Sequence, residues 1–236
     1  MINYLNEIAV LGNENRRNAI LCILDSIGID YKIVGNTTKN IVVSFNPTNE
    51  RLVIGAHYDA FFYGANDNGA ACVIILNLIE DLKNTNRSID FVFFDQEEAF
   101  GIGSRDYINV IGKNNIKGMI NLDMCGLGNN ILLTYDMINK SKFEFDCMNS
   151  IINDNNVIFV KELPFGDYNN FVNNGIPSIF IINSTDNDIA WFKGNMRIFP
   201  DFAKTMHKPT DTVDTFSDSG MIMIYEFLKR NLIEVR

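Results

Sequence analysis

Histidine, tryptophan, cysteine and proline are all scarce in this 236-residue chain, which contains two, one, four and five of them, respectively. The cysteines, Cys22, Cys72, Cys125 and Cys147, stand far apart and include no C-x-x-C pair. This spacing argues against a zinc knuckle or a dithiol redox motif. We expect the four cysteines to be reduced thiols in the core.

Basic residues are also few, 20 against 29 acidic ones, so the formal net charge is -9. Because a negatively charged protein repels the phosphate backbone, we do not expect it to bind nucleic acid. No uninterrupted apolar run approaches the roughly 18 residues that span a bilayer, so no membrane partner is predicted. Residues 1–17 carry their basic pair after the apolar stretch, the reverse of a secretory signal. A cytoplasmic location is therefore expected, and the sequence leaves the oligomeric state open.

Hydrophobic residues are plentiful, at 47% of the chain, which is enough to bury a sizeable core. The length falls near the upper end of what one hydrophobic core serves. Neither an internal repeat nor a linker interrupts the sequence. We therefore predict one domain over residues 1–236.

The hydrophobic pattern alternates between short β-rich runs and helical periodicity. Strands are predicted at 30–34, 40–45, 51–58, 88–95, 116–123, 130–135, 156–163 and 177–182, and helices at 4–27, 70–82, 104–112, 142–153, 167–174 and 218–232. Alternation of this kind is typical of an α/β fold, here a three-layer αβα sandwich with a mixed, mostly parallel sheet. Residues 183–206 break the rhythm and are predicted to form a lid or binding loop.

Polar clusters follow several predicted strands, where sites of open α/β sheets lie. The clusters contain His57 and Asp59; Asp95, Glu97 and Glu98; Asp123; Asp67, in a loop before a helix; and His207, Asp211 and Asp214. Imidazole and carboxylate groups are the usual ligands of zinc, and this set is large enough for two divalent ions that share one carboxylate. The clusters therefore predict a metal site.

A plainer interpretation exists for each cluster, because an aspartate at a strand end commonly caps a helix or forms a turn. Two features favour the metal site. Both histidines of the chain fall inside acidic clusters. Three carboxylates also follow the apolar run FVFF, where their desolvation is costly unless cations compensate them.

Five motifs occur in a characteristic order: GAHYDA at 55–60, GANDNGAA at 64–71, DQEEAFGIGSRDY at 95–107, NLDM at 121–124 and HKPTDTVD at 207–214. Together they resemble the co-catalytic zinc aminopeptidases of the aminopeptidase Y type, whose relatives include glutamate carboxypeptidases and glutaminyl cyclases. The segment GDYNNFVNNGIPSI is similar to the family's Ser-Asp-His segment, with Gly166 and Tyr168 in place of the serine and histidine. The resemblance implies a zinc-exopeptidase-like fold.

The resemblance also implies two Zn²⁺ per subunit, with Co²⁺ or Mn²⁺ as alternatives. One ion would be held by Asp67, Glu98 and His207, and the other by His57, Asp67 and Asp123, so that Asp67 bridges them. The catalytic residues would be Glu97, as general base, and Asp59, which would orient the imidazole of His57. Asp211, near His207, would orient an imidazole in the same way. The substrate would be a peptide with a free N-terminus, which loses its first residue by hydrolysis. The bond between Asp67 and Asn68 would be cis.

Two other functions stay open. A glutaminyl cyclase uses the same fold with one zinc, and FFDQEEAF looks cyclase-like, although Met206 stands where animal cyclases carry a tryptophan. A non-catalytic binding module on this scaffold would have lost ligands, whereas this chain keeps all five and Glu97. Aromatic residues could form an apolar substrate pocket or fill the core beneath the loops. They are Phe61, Phe62, Tyr63, Trp191, Phe192, Phe199 and Phe202.

Overall fold

The computed structural model describes residues 1–135, 145–215 and 218–234. Its strands form one eight-stranded mixed sheet in the order β1-β2-β4-β3-β5-β8-β6-β7. The strands are β1 (Lys32–Val34), β2 (Asn40–Phe45), β3 (Arg51–His57), β4 (Ile89–Phe94), β5 (Ile116–Leu122), β6 (Asn130–Tyr135), β7 (Val157–Phe159) and β8 (Ser178–Ser184).

Helices connect most of the strands. They are α1 (Ile2–Ile8), α2 (Asn13–Ser26), α3 (Ala70–Leu82), α4 (Ile102–Ile111), α5 (Asp146–Asn153), α6 (Tyr168–Asn173), α7 (Asp186–Phe192) and α8 (Asp218–Lys229). Among the helices of the described residues, none has both the length and the apolarity needed to cross a membrane.

The centre of the sheet is parallel: β3 pairs with β4 and β5 in parallel, and β5 pairs with β8 in the same way. Antiparallel pairs join β1 to β2, β2 to β4 and β6 to β8. The predicted α/β sandwich with a mixed, mostly parallel sheet is confirmed. Because the four central strands run in one direction, their carboxyl ends meet at one edge.

Two hydrophobic layers cover the faces of the sheet. On β3, Leu52 and Ile54 belong to the core shared with α3 and α8, whereas Val53 belongs to the core shared with α4 and α6. All six residues of β4 are buried, as expected of a central strand covered on both faces. The strand ends are thereby held rigidly in place.

Three local predictions need correction. The opening helix predicted over 4–27 is two helices, because the chain turns before α2 through Gly12, whose φ is +87°. Residues 183–206 are not a structureless loop, since they include α7, which begins with a capping box between Thr185 and Asp188. Of the four free cysteines, Cys22 is exposed and the other three are buried.

The remaining elements lie close to their predicted positions. The helix predicted over 142–153 corresponds to α5. Residues 142–144 of that prediction lie outside the described ranges. The last helix was predicted over 218–232. The α-helix α8 ends at Lys229, and one wider, π-helical turn follows it at Arg230–Glu234. A single domain over 1–236 stays a prediction, although the described strands all belong to one sheet.

Asp106, on α4, ties the loop before β2 to the helix, and we expect its replacement by asparagine to destabilise the fold. The carboxylate accepts hydrogen bonds from the backbone of residues 36–38 and from the Thr38 hydroxyl. Although burial opposes the charge, these bonds lower the pKa of Asp106 to about 2. Its contribution is therefore complete above the unfolded pKa of about 3.9 and is lost as pH falls toward about 2.

Urea unfolding would measure this effect. At pH 7 we expect Asp106→Asn to lower the free energy of unfolding by about 2 kcal/mol, and we expect a smaller difference near pH 3. The exposed residue Asn109, on the same helix, provides the control variant Asn109→Ala. An equal loss for Asp106→Asn at both pH values would contradict the pKa-linked explanation.

Candidate metal centre

The parallel strands β4, β3 and β5 deliver side chains to one edge of the sheet. His57 is the last residue of β3, Asp123 follows β5 directly, and Glu97 and Glu98 follow β4 after a short turn. The turn passes through Gln96, whose φ is +55°. The neighbouring strands therefore place four site residues side by side, as their positions in the sequence predict.

Two loops complete the cluster with Asp67 and His207. His57 Nε2 lies 3.3 Å from Asp67 Oδ1 and 3.5 Å from Asp123 Oδ1. His207 Nε2 lies 3.3 Å from Asp67 Oδ2 and 2.9 Å from Glu98 Oε2. The potential ligands thus form two groups of three residues, one of His57, Asp67 and Asp123 and the other of Asp67, Glu98 and His207. Within each group, the ligand atoms all lie within 4.8 Å of one another. The structure thus brings the five predicted ligands together, and Asp67 directs one oxygen to each group.

The backbone around Asp67 is held by Asp211. The peptide bond between Asp67 and Asn68 is cis, as expected. The Asp211 carboxylate accepts the N–H groups of Asn66 and Asp67 at 2.8 and 3.0 Å. We expected Asp211 to orient the imidazole of His207, and its hydrogen bonds instead orient the loop that carries Asp67.

Asp59 contacts both the turn after β4, which carries Glu97 and Glu98, and the imidazole of His57. Its carboxylate accepts the backbone N–H groups of Glu97 and Glu98 at 3.0 and 3.1 Å. His57 Nδ1 lies 3.0 Å from the Asp59 carbonyl oxygen and 3.5 Å from its carboxylate. A donated Nδ1–H leaves Nε2 of His57 free to face Asp67 and Asp123. Asp59 therefore positions the turn after β4 as well as the histidine.

Crowded, buried carboxylates dominate the electrostatics of the site. Burial raises the pKa of Asp123 and Glu98, and it raises the pKa of Glu97 to about 9. Burial alone would lower the pKa of His57, but Asp123 and Glu97 raise it well above its usual value. Without a metal ion, these raised pKa values favour protonated carboxyl and imidazole groups, which reduces the repulsion between the neighbouring carboxylates.

The cluster also meets the chemical requirements of a cation site. Three of its buried polar atoms, His57 Nε2, Asp123 Oδ1 and Glu98 Oε1, lack a hydrogen-bond partner within the described ranges. Buried polar atoms without partners are costly, and a divalent cation would satisfy them. Imidazole nitrogen and carboxylate oxygen are ligands that suit zinc. The residues present therefore fit a metal in each group of three.

A cleft of about 270 Å³ opens beside the ligands. Its apolar wall consists of Phe100, Met124, Pro164, Phe165 and Met206, and its polar wall of Asp67, Glu97, Glu98, Asp123 and His207. Phe100 and Phe165 are 83% and 51% exposed. The cleft can therefore accept an apolar group next to the candidate metal centre.

The aromatic residues considered for a substrate pocket separate into two sets. Phe61 and Phe62 line a narrow cleft that also includes His207, and the ring centroid of Phe61 lies 4.8 Å from that of His207. In the other set the rings of Trp191, Phe192 and Phe202 pack against one another, at centroid distances from 5.2 to 5.5 Å, and Phe199 is 63% exposed. The first set lies at the site, whereas the mutual packing of Trp191, Phe192 and Phe202 fits the core interpretation and the exposed Phe199 does not.

Two acidic residues of the predicted clusters point elsewhere. The Asp95 carboxylate accepts the backbone N–H of Lys39, directly before β2. Asp214 is exposed on a short turn after Asp211.

Sequence reasoning missed Arg16 and left the role of Asp167 undecided. Arg16 is fully buried under the loop between His57 and Asp67. Asp167 is also fully buried, and burial raises its pKa to about 7. No pattern of neighbours marks Arg16, whereas Asp167 occupies the aspartate position of the segment that is similar to the family's Ser-Asp-His segment. Tyr168, beside Asp167, stacks on Phe180 at a centroid distance of 4.7 Å.

Sequence comparison connects this site to known proteins. The sequence model described as Peptidase family M28 matches residues 40–230. A vacuolar membrane protease of Saccharomyces cerevisiae is 29% identical over 213 residues, which cover 88% of this chain and 19% of that protein. Aminopeptidase YwaD of Bacillus subtilis is 33% identical over 101 residues, 38% of this chain and 22% of that protein. The chain spans about a fifth of the length of these relatives.

The fold also resembles solved structures. Glutaminyl cyclase from Porphyromonas gingivalis superposes with a TM-score of 0.70, over 98% of this chain and 94% of that one, at 22% sequence identity. Identity at this level indicates a shared fold, whereas activity depends on the site.

Proposed function

The chain belongs to peptidase family M28, and on this basis we propose that it is a metal-dependent aminopeptidase, which releases the N-terminal residue of a peptide with a free N-terminus. One observation carries the proposal. Two ligand groups share Asp67, and the carboxylate of Glu97 lies beside them without belonging to either group. That arrangement supplies a centre for divalent ions and a separate base.

We propose that the centre takes two Zn²⁺ per chain, with Co²⁺ or Mn²⁺ as alternatives. Asp67, Glu98 and His207 would hold one ion, and His57, Asp67 and Asp123 the other. When bound, the ions would polarise the substrate carbonyl, make water more acidic and bring two reactants together. His57, Asp67 and Asp123 are buried, and Asp67 and Asp123 also line the cleft through which substrate and water would reach the ions.

Glu97 is proposed as the general base. Its side chain is 8% exposed, lines the cleft and lies 3.9 Å from His57 Nε2. It would take a proton from the attacking water and deliver it to the leaving amine. Burial raises the pKa of Glu97 to about 9 in the metal-free chain, and cations bound to its neighbours would lower that pKa, so that the carboxylate can act as a base near neutral pH.

The cleft supports an apolar first residue in the substrate. Phe100, Phe165 and Met206 would contact its side chain, and members of both ligand groups line the same cleft. A volume of about 270 Å³ is enough for one large side chain. Preference for an apolar N-terminal residue therefore belongs to the proposal.

A glutaminyl cyclase remains the second candidate, because the segment FFDQEEAF, residues 93–100, looks cyclase-like and includes Glu97 and Glu98. The cyclase reading requires one zinc, whereas this chain brings together a complete second ligand group, His57, Asp67 and Asp123. A non-catalytic binding module is the third candidate. The cytoplasmic location stays a prediction.

Metal content and substrate turnover, measured together, would test the proposal. We expect zinc-reconstituted protein to contain two ions per chain, to hydrolyse aminoacyl anilides with apolar side chains, and to leave an N-terminal glutaminyl peptide uncyclised. One tightly held ion with full cyclase activity would favour the second candidate. Bound metal without turnover of either substrate class would favour the binding module.

A further inference from the structure

Arg16, near the start of α2, is the only arginine or lysine among the fully buried side chains of the described residues. Its guanidinium donates hydrogen bonds to three backbone carbonyls, those of Tyr58, Tyr63 and Gly64. The bond to Gly64 measures 3.1 Å. A buried charge that bonds only to backbone oxygens is costly, which calls for an explanation beyond core packing.

The three acceptors lie in the segment that joins His57 to Asp67. Asn13, one turn before Arg16, accepts the N–H of Ala60 from the same segment at 3.0 Å. The segment is also tightly packed at Gly64, whose φ is +53° and whose added Cβ would lie 2.4 Å from the Asp67 carbonyl oxygen and 3.2 Å from Arg16 Nη1. The start of α2 therefore sets the path of the backbone between two candidate ligands.

Charge also connects Arg16 to the site. Burial lowers the pKa of Arg16, and this effect is opposed by Cys72 and by the carboxylates of Asp67, Asp59 and Asp211. Arginine keeps its charge in such surroundings because its pKa starts above 12. The protein thus places one permanent cation against the segment that carries Asp67, and Arg16 is not among the residues that line the cleft.

Helix α2 ends at Ser26 and so lies outside the part of the chain that matches the family, residues 40–230. We propose that Arg16 is a positioning residue that presets the segment from His57 to Asp67 for metal binding, through its three carbonyl hydrogen bonds. This inference rests on the metal centre of the proposed function. It assigns α2 a part in that centre.

Zinc binding by the metal-loadable protein would test the role of Arg16. We expect Arg16→Met to raise the Kd for Zn²⁺ by about 10- to 100-fold in competition with a chelating dye, the usual loss when a partner of a ligand is removed. The zinc-induced gain in stability should fall by about 1.4 kcal/mol for each tenfold rise in Kd. We expect the change in log Kd for Zn²⁺ in Arg16→Lys to be more than half of that in Arg16→Met, because one ammonium group does not reproduce the guanidinium fork.

Arg17 supplies the matched control. It follows Arg16 on the same helix and pairs with Glu14 at 3.1 Å. Arg17→Met therefore removes an equal charge but leaves the three carbonyl hydrogen bonds of Arg16 in place. We expect its Kd for Zn²⁺ to equal that of the unaltered protein. Full recovery of zinc affinity in Arg16→Lys would overturn the role of the three hydrogen bonds.

A merely structural role for Arg16 gives a different result. Arg16→Met would then unfold at a lower temperature by the same amount with and without Zn²⁺, with an unchanged Kd, and this result would overturn the inference. If Arg16→Met does not fold, Arg16→Lys and Asn13→Ala take its place, and unaltered zinc affinity in both would overturn it equally. Absence of zinc binding by the unaltered protein would instead overturn the proposed metal centre.

Discussion

Replacing Glu97 with glutamine is expected to lower kcat by about 10²- to 10⁴-fold while the zinc content per chain stays unchanged. Glutamine has nearly the same shape as glutamate but does not accept a proton from water at neutral pH. Glu97 belongs to neither ligand group, so its loss leaves the metal ligands intact. Turnover of an aminoacyl anilide and elemental analysis of the same preparation would measure both quantities.

The neighbouring residue Glu98 supplies the contrast. Its Oε2 lies 2.9 Å from His207 Nε2, inside a ligand group, so Glu98→Gln should weaken zinc binding before it changes the chemical step. Excess zinc should then restore part of the activity of Glu98→Gln and none of the activity of Glu97→Gln. The reverse pattern would mean that the roles of Glu97 and Glu98 are exchanged.

Asp67→Ala is expected to abolish activity and to weaken the binding of both ions, each by more than the 10- to 100-fold typical of an outer partner. The reason is that Asp67 directs one oxygen toward His57 and the other toward His207. Asp123→Ala removes a ligand from one group only, so that variant should keep one ion. Competition with a chelating dye would give the number of sites and their affinities.

Chelation provides the matching test without a substitution. Removal of divalent ions should abolish turnover of the unaltered protein, and added Zn²⁺ should restore it, but Asp67→Ala should not recover. Asp214→Ala is the control, since that carboxylate is exposed on a nearby turn. Two zinc ions bound by Asp67→Ala with unaltered affinity would contradict the bridging role.

Much of the fold was predictable from local patterns. The helix α3 has the predicted bounds, 70–82. Its residues are apolar on nearly every side, and an apolar segment of 13 residues favours a buried helix because it is longer than a typical strand. The run IDFVFF is likewise buried throughout as β4. The break before α2 was not predictable from hydrophobic spacing, since the apolar residues on both sides of Gly12 keep helix-compatible intervals.

The polar clusters that contain the candidate ligands were predictable because a metal centre requires particular residue types and because sites of open α/β sheets lie at the carboxyl ends of strands. The choice of five ligands within those clusters came from the resemblance of five motifs to the zinc aminopeptidases. His57 ends β3, and Glu98 and Asp123 follow β4 and β5, which pair in parallel with β3 on either side. Their side chains therefore meet at one edge of the sheet. The partners of those ligands were not predictable in the same way. Asp211 holds the backbone of Asn66 and Asp67, where the motif alone suggested contact with His207.

The sequence by itself determined the α/β class, the alternation of strands and helices, and the polar clusters near the strand ends, because periodicity and residue chemistry are local properties of the chain. Only the tertiary structure decided which side chains support those ligands and which line the cleft. Arg16 meets Tyr58, Tyr63 and Gly64 across more than 40 residues of chain. Contacts between such distant segments depend on how helices pack against the sheet, and packing leaves no repeating pattern in the sequence.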